Sequence, residues 1–548
     1  MTDNNGAGAK QVSSPSKKKG MGFALSALIV GLGLIITKCS GLLRDIIVSM
    51  RFSEDLFRDG FTLAFTIPDL FYNLLVGGAI YSTVAPYMSA QLAVGKEKQG
   101  IRTVSIFISV VCVVMLVCCA FGSIFSEPIY ALYALNNDKI DPQVLSLAAQ
   151  ASKMLFPQIF FIMLAALCNG ILNSYRKFTI TSFGPVLYNI LVLVVIYLFA
   201  GNSLTKLVMT TGGILVSAVI YFVFQYSLGF KQMKQFRFIF KPADKEFLML
   251  FRRAIPILIS ASITQINVVV LNHFALMFDQ GSVYGFRNAS TIWQIPYSVF
   301  VVAITTVMTP ELAGDYESKK YSKASDLVSS SMKSALFMTI PSAVFIAVLN
   351  LDVVKAIYQW TSAYTDRNAQ TAATFLLGFC SAIITATVIH VFNQAFYAIG
   401  QTKLPLAAGI LGLVINPVAC QIMVSLGVGP LSLSLAYSFT NVCQMIMLAV
   451  AYCRRKELAP HGIIGFLLKS AVCAVVMAGV VYVVDMFVPA QGGKFIQLAI
   501  IATKGIVAVV VFFAMAVILR MEEATYWIER FKRLIKKDSS NKTSGRKE

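Results

Sequence analysis

From Gly22 to Arg520, apolar runs long enough to cross a bilayer alternate with short polar loops. A spanning helix needs about 20 apolar residues, and windows of that length mark about fourteen spans. Their extents are 22–50, 58–93, 103–126, 146–174, 180–200, 206–229, 248–278, 282–313, 326–350, 370–399, 404–426, 430–453, 464–488 and 495–520. Several exceed the minimum and must tilt or project beyond the hydrocarbon. No stretch between them is long enough for a water-soluble domain. The pattern predicts an all-α polytopic membrane protein.

Composition agrees. Hydrophobic residues make up 57% of the 548-residue chain and charged residues 13%, where a soluble domain carries roughly 25% charged. Mean hydropathy is +0.73. The formal net charge of +20 would suggest nucleic acid in a soluble protein, but no nucleic-acid-binding module is present. Its placement points elsewhere, because the cations collect in alternate loops. Lys96, Lys98 and Arg102 form one group, Arg176 and Lys177 the next, then Lys231, Lys234, Arg237, Lys241 and Lys245. The series continues with Lys319, Lys320 and Lys323, with Lys403, and with Arg454, Arg455 and Lys456. The loops 127–142 and 352–367 on the opposite side are poorer in net positive charge. The positive-inside rule then places both termini in the cytoplasm, which requires an even span count. Met1–Gly20 is too polar for a signal peptide and reads as a cytoplasmic tail ending in Lys17, Lys18 and Lys19. The ten cysteines lie mostly within apolar runs, without CxxC or Cys/His ligand spacing. They read as small buried hydrophobes, and neither a metal nor a cofactor is expected.

An internal repeat organises the spans. Span 2 carries Ile67-Pro68 and Thr83-Val84-Ala85-Pro86, and span 8 carries Ile295-Pro296 and Val307-Met308-Thr309-Pro310. Asn169…Tyr175 leading to Lys177 is echoed by Asn393…Tyr397 leading to Lys403, an offset close to 225 residues or six spans. An even number of spans between copies keeps their orientation, so the repeat is parallel, with a pseudo-two-fold axis along the membrane normal. The expected units are a basic tail (1–21), an N-lobe of six helices (22–229), a basic linker (230–247), a C-lobe of six helices (248–456), a C-terminal helix pair (457–520) and a basic tail (521–548).

Charges inside apolar runs are costly and normally face a bundle interior or a wet cavity. Span 1 holds Lys38, Arg44 and Asp45; span 2 opens with Asp59 and carries Asp69 deeper; span 8 carries Arg287. At 100° per residue Lys38 and Asp45 share a helix face, whereas Lys38 and Arg44 stand about 120° apart. A cavity touching all three spans a broad arc of helix 1. The competing reading is an ion-pair network that only holds helices together; Lys38 fits either, and Asp59 lies near the outer interface. Arg252 and Arg253 open span 7, where long side chains reach water. His273 and His390 read as satisfied polar residues. Gly77-Gly78 and the prolines at 68, 296, 310 and 417 mark bends. No Walker A or G-x-S-x-G motif occurs, so the chain reads as a transporter rather than an enzyme. Its driving force would be an ion gradient, the membrane potential or the substrate's own gradient.

Several stretches resemble the MurJ (MviN) family of lipid II flippases: Ser40-Gly41-Leu42-Leu43-Arg44-Asp45, Asp59-Gly60-Phe61 with Ala64-Phe65-Thr66-Ile67-Pro68, Asn169–Tyr175, Phe183–Asn189, Ser262–Asn267 and Gly281-Ser282-Val283. The resemblance implies the MOP-exporter fold, with two six-helix lobes around a central cavity and a C-terminal pair forming a lipid groove. It also implies transport of an undecaprenyl-diphosphate-linked peptidoglycan precursor to the outer leaflet of the inner membrane, with that precursor and membrane lipids as partners. By this resemblance Arg44 and Asp45 match an essential Arg-Asp pair, Lys38 stands where Arg is common, and Asp59 matches a span 2 Asp. Tyr72 stands where many members have Arg, and Ser290-Thr291 where many have Asp-Arg; Arg287, one turn before Thr291, can supply the missing charge. The carboxylates of a sodium site that some members carry in spans 7 and 11 are lacking in those span interiors. A diphosphate calls for Arg, whose fork of donors fits phosphate oxygens.

Export of another lipid-linked oligosaccharide and cation-coupled multidrug export are the alternatives within transporters. Lys38, Arg44 and Arg287 would repel cationic drugs. A membrane-embedded transferase would need an exposed acid or metal cluster. The loop charges make one direct prediction. Reporter fusions at Lys537 and within loop 352–367 will report opposite sides of the membrane; the same side for both would refute the topology.

Overall fold

The computed structural model describes residues 39–76, 83–134 and 139–525. Lys38, Gly77-Gly78, the N-terminal tail and most of the C-terminal tail lie outside the described residues. The described residues are helical throughout, with no strand among them. The first lobe comprises α1 (39–51), α2 (Asp55–Ala64), α3 (Thr66–Leu75), α4 (Ala85–Ala93), α5 (Glu97–Ile124), α6 (Ser126–Ala131), α7 (Pro142–Ser174), α8 (Phe178–Phe199) and α9 (Leu204–Leu228). A short α10 (Phe230–Met233) opens the linker. The second lobe comprises α11 (Lys245–Ala275), α12 (Ser282–Pro296), α13 (Val302–Glu317), α14 (Tyr321–Val348), α15 (Asn350–Tyr358), α16 (Asp366–Ala398), α17 (Lys403–Ser425) and α18 (Leu431–Cys453). The final pair is α19 (Ile463–Phe487) and α20 (Lys494–Ile518).

Twelve helical stretches among the described residues are long and apolar enough to cross a membrane. They match the third to fourteenth sequence spans, with Ser282–Glu317 crossing as α12, a π turn at Tyr297–Val301, and α13. Span 1 is described only over α1. Span 2 is not one rod: it is broken into α2, α3 and α4. The first break falls at Phe65, three residues before Pro68, whose ring cannot sit against a regular preceding turn. Pro296 leads into the π turn, whereas Pro310 and Pro417 lie within uninterrupted helices.

The repeat appears as repeated packing. α7 lies against α2, α4, α5, α6, α8 and α9, and α16 lies in the same way against α12, α13, α14, α15, α17 and α18. Both central helices start from a loop side-chain cap. Asp141 accepts from the Gln143 N–H ahead of Pro142, and Thr365 forms a reciprocal capping box with Asn368. Their small residues (Ala148, Ala149, Ala151; Ala369, Ala372, Ala373) are buried and let neighbours approach closely. The linker is tied to the first lobe. Arg102 pairs with Asp244 at 2.9 Å, and Asp244 caps α11. Glu246 accepts from Gln99, Thr103 and Tyr87, and the Thr103 bond holds its carboxyl below the usual range. Large apolar side chains face outward on the flanking helices, Phe487 and Phe495 among them, as a lipid-facing surface requires.

α19 and α20 pack on each other and on α14, and α20 also meets α15. An apolar groove of about 660 Å³ runs between α20, α14 and the α12–α13 junction. Lys504, 1% exposed, anchors the pair. Its ammonium donates to Asp485 of α19 and stands 3.7 Å from Asp352 of α15. Removing one partner of a buried pair typically costs about 3–5 kcal/mol. Lys504→Met will therefore lower the melting temperature in detergent markedly. Adding Asp485→Asn and Asp352→Asn to it will recover most of the loss; no recovery would show that packing, not charge, anchors the pair.

Candidate functional site

α1, α2 and α3 of the first lobe face α11 and α12 of the second, and the polar residues of these helices meet at that seam. Asp45 is the centre. It is 3% exposed, and its carboxylate accepts from partners on both lobes. Arg44 Nε lies 3.2 Å away on its own helix. Across the seam Arg287 Nη2 lies at 3.5 Å and Thr291 Oγ1 at 3.3 Å, one turn apart on α12. The Tyr284 hydroxyl donates to the Asp45 carbonyl. Arg287 and Thr291 thus address the same carboxylate from the second lobe.

Nearer the start of α12, Asp59 closes the same seam. Both its oxygens accept backbone N–H bonds from the start of α12, Gly281 at 2.7 Å and Tyr284 at 2.8 Å. This carboxylate from one lobe is thus the N-terminal cap of a helix in the other, where unpaired N–H groups and the helix dipole favour an anion. Gly281 is required in this joint: its φ is +91°, and a Cβ would sit 3.0 Å from Asp55 and Asn368. Around it Asn368 donates to Asp55 at 2.7 Å and Gln280 to Asp141 at 2.7 Å. Arg58, fully buried, donates to the Phe52 carbonyl, Asp55 and the Ala363 carbonyl, with its guanidinium over the Tyr364 ring. Sequence reading did not single out Arg58, although its i, i+3 spacing from Asp55 was a signal.

Between the lobes lies a cavity of about 600 Å³, walled by α2, α3, α11, α12, α16 and α18. Asp69 and Arg287 line it. Asp69 lies within electrostatic reach of Arg287 and Arg44. Arg44 is half-buried on the first-lobe side, near Tyr188, and is not part of the cavity lining. The structure so brings Arg44, Asp45, Asp69 and Arg287 into one group, two cations and two carboxylates, while Asp59 stands apart in the seam joint. Lys38 lies outside the described residues. Arg252 and Arg253 are exposed at the basic end of α11, far along the helix from Asn272, which bonds Thr66 across the seam at 2.9 Å. His390 is bonded to the Tyr297 hydroxyl at 2.9 Å.

The model of the lipid II flippase MurJ family matches residues 48–521. The chain belongs to the MurJ family. Arg44 and Asp45 stand just before the matched range. A probable lipid II flippase MurJ of Rhizobium tropici is 24% identical over 515 residues, covering 91% of this chain and 93% of that protein. One from Buchnera aphidicola subsp. Acyrthosiphon pisum is 23% identical over 394 residues, covering 71% and 75%. Among solved structures, a lipid II flippase MurJ in an inward closed conformation superposes with a TM-score of 0.74 at 21% identity, covering 90% of this chain and 98% of that one. An inward-facing multidrug resistance MATE transporter of the MOP superfamily reaches 0.67 at 17% identity, covering 79% and 98%. These likenesses give the fold: MurJ members and MATE exporters share it, and this chain is a multi-pass protein of the inner membrane.

The seam joint makes its own prediction. Losing a cap costs about 1 kcal/mol, and Asn can accept only one of the two N–H bonds, its NH2 group facing the other donor. With exposed Cys39 and Cys453 replaced by Ser, a Ser282→Cys reporter at the buried start of α12 will be labelled faster by maleimide in Asp59→Ala than in the parent. Asp59→Asn, which loses one of the two bonds, will also be labelled faster than the parent. Equal rates in all three would show that the joint does not depend on the cap.

Proposed function

We propose that this chain carries the undecaprenyl-diphosphate-linked peptidoglycan precursor, lipid II, from the inner to the outer leaflet by alternating access of its two lobes. The observation that carries this reading is Asp45: one buried carboxylate held at once by Arg44 of the first lobe and by Arg287 and Thr291 of the second, beside a cavity between the lobes. Family membership supports the substrate. With both termini cytoplasmic, the Asp59 joint is at the periplasmic end and the cavity is sealed on that side.

In this reading Arg287 has two alternative anionic partners. At rest it holds Asp45, and the lobes are tied. A diphosphate entering the cavity offers oxygens that fit the guanidinium fork. Arg44, Asp45, Asp69 and Arg287 together are formally neutral, so the substrate must displace a carboxylate rather than fall into a ready cationic well. Displacing Asp45 from Arg287 loosens the lobes on the side where Asp59 caps α12. Arg44, outside the cavity lining while it holds Asp45, reaches the diphosphate from the first lobe once Asp45 is displaced, and Lys38 adds a further cation. The polyprenyl tail stays in lipid or along the apolar groove at α20.

Complementation of a flippase-depleted strain, with membrane abundance of each variant checked, tests the mechanism. Arg44→Glu will abolish growth, since repulsion in a low-dielectric site replaces attraction. Arg44→Lys will be impaired rather than neutral, because it keeps charge and loses the fork. Arg287→Ala will fail as severely as Arg44→Glu. Growth and precursor translocation with Arg44→Glu at normal abundance would overturn the mechanism.

A further inference from the structure

The cavity is chemically divided. Among the described residues, Asp69 and Arg287 are the only Asp, Glu, Lys or Arg side chains lining it, and they stand together. The other end carries the carboxamides Asn267, Asn393, Asn441 and Gln444, and continues into a chamber of about 200 Å³ lined by the same four. Its wall includes a cluster of rings, with Trp293 6.0 Å from both Tyr297 and Tyr437.

Three details bear on the amides. Asn416 donates to Asn267 Oδ1 at 2.6 Å, which leaves the Asn267 amide hydrogens for another partner. Asn393 Oδ1 is buried with no hydrogen-bond partner among the described residues, an arrangement that costs free energy unless something supplies a donor. Gln444 is seated by Gly412: a Cβ there would stand 1.7 Å from Gln444 Nε2. The first lobe has a similar contact, where a Cβ on Gly184 would meet Gln225 Nε2 at 1.9 Å. There, however, Gln225 is fully buried and donates to the Ile180 carbonyl, whereas Gln444 opens on the cavity.

We propose that the neutral end is a subsite for an N-acetylated sugar attached to the diphosphate. Carboxamides both donate and accept, as sugar hydroxyls and an acetamido group do. An aromatic ring face suits the apolar face of a pyranose, and the rings here, tilted 49° and 54° to Trp293, form an angled wall; the combined volume lies within the range of ordinary ligand pockets. With no Lys or Arg among the described residues at this end, a carboxylate-bearing part of a ligand finds no fixed positive charge there. The diphosphate at Arg287 and the sugar among the amides fix which way round the head group lies. This inference rests on the flippase reading and assigns its specificity to residues of the second lobe.

Binding to the purified full-length protein, measured with undecaprenyl diphosphate and with the same lipid carrying one N-acetylhexosamine, tests it. Wild type will bind the glycosylated lipid more tightly. Asn393→Ala/Gln444→Ala, which removes two hydrogen-bonding groups, will weaken the glycosylated lipid about tenfold and leave the bare diphosphate lipid within about twofold. Gly412→Ala keeps every polar group but displaces Gln444 from its cradle, so it will narrow the same preference. Arg287→Ala will weaken both lipids alike. If the double variant and Gly412→Ala change both lipids equally, or neither, the sugar subsite is refuted while diphosphate binding stands. If wild type binds undecaprenyl diphosphate no better than undecaprenol and Arg287→Ala changes nothing, the flippase reading fails, and the subsite with it.

Discussion

A carboxylate enclosed by apolar helices must have partners, because desolvation without compensation is far more costly than any packing gain nearby. Asp45 meets that requirement with groups from two different lobes. Arg44, Arg287 and Thr291 share its oxygens, and Tyr284 holds its backbone carbonyl. The seam between the lobes thus has an electrostatic requirement that changes when a competing anion arrives. A purely hydrophobic seam would have no such dependence on what occupies the cavity. Asp59 extends the same logic to the end of the seam, where its partner is not a cation but the open N-terminus of α12.

The duplicated architecture gives both lobes the same packing around α7 and α16, yet the copies have divergent uses. The first lobe contributes Asp45, Asp59 and Asp69, and the second contributes Arg287, the helix terminus and the amide chamber. Two glycine–glutamine contacts show the divergence: Gln225 against Gly184 is closed in the first lobe, while Gln444 against Gly412 faces the cavity in the second. The C-terminal pair stands outside this scheme and is fastened by Lys504 through charge.

Much of this was legible in the sequence. Apolar runs and basic loops give the helices from α5 onward, because burial in lipid leaves little choice but a helix of sufficient length. The intramembrane charges Arg44, Asp45, Asp69 and Arg287 stand out for the same reason, and they do assemble. What sequence could not give is pairing over distance. Asp59 caps a helix that begins 222 residues later, and no local pattern announces that. The break of span 2 at Phe65 depends on packing around Pro68 rather than on hydropathy. Lys504 carries the signal of a lone cation in an apolar run and belongs with the intramembrane charges. Its structural use is visible only once Asp485 and Asp352 are seen beside it. The amide chamber is silent in sequence because Asn and Gln in helices serve many purposes.

The π turn at Tyr297–Val301 gives α12 a mechanical character. It interrupts the regular bonding between α12 and α13, and such turns recur at functional sites. α12 carries its cap at one end and the Asp45 contacts partway along, and it meets the π turn at the other end. At 1.5 Å per residue its length is about 22 Å. A tilt of about 10° about the turn moves the capped tip by about 4 Å over that length, more than the length of any hydrogen bond holding it. The same tilt moves Arg287 and Thr291 less, since they lie nearer the pivot. α12 thus has the geometry of a lever: a rotation at the π turn would carry its tip, bonded to Asp59, further than the residues that hold Asp45.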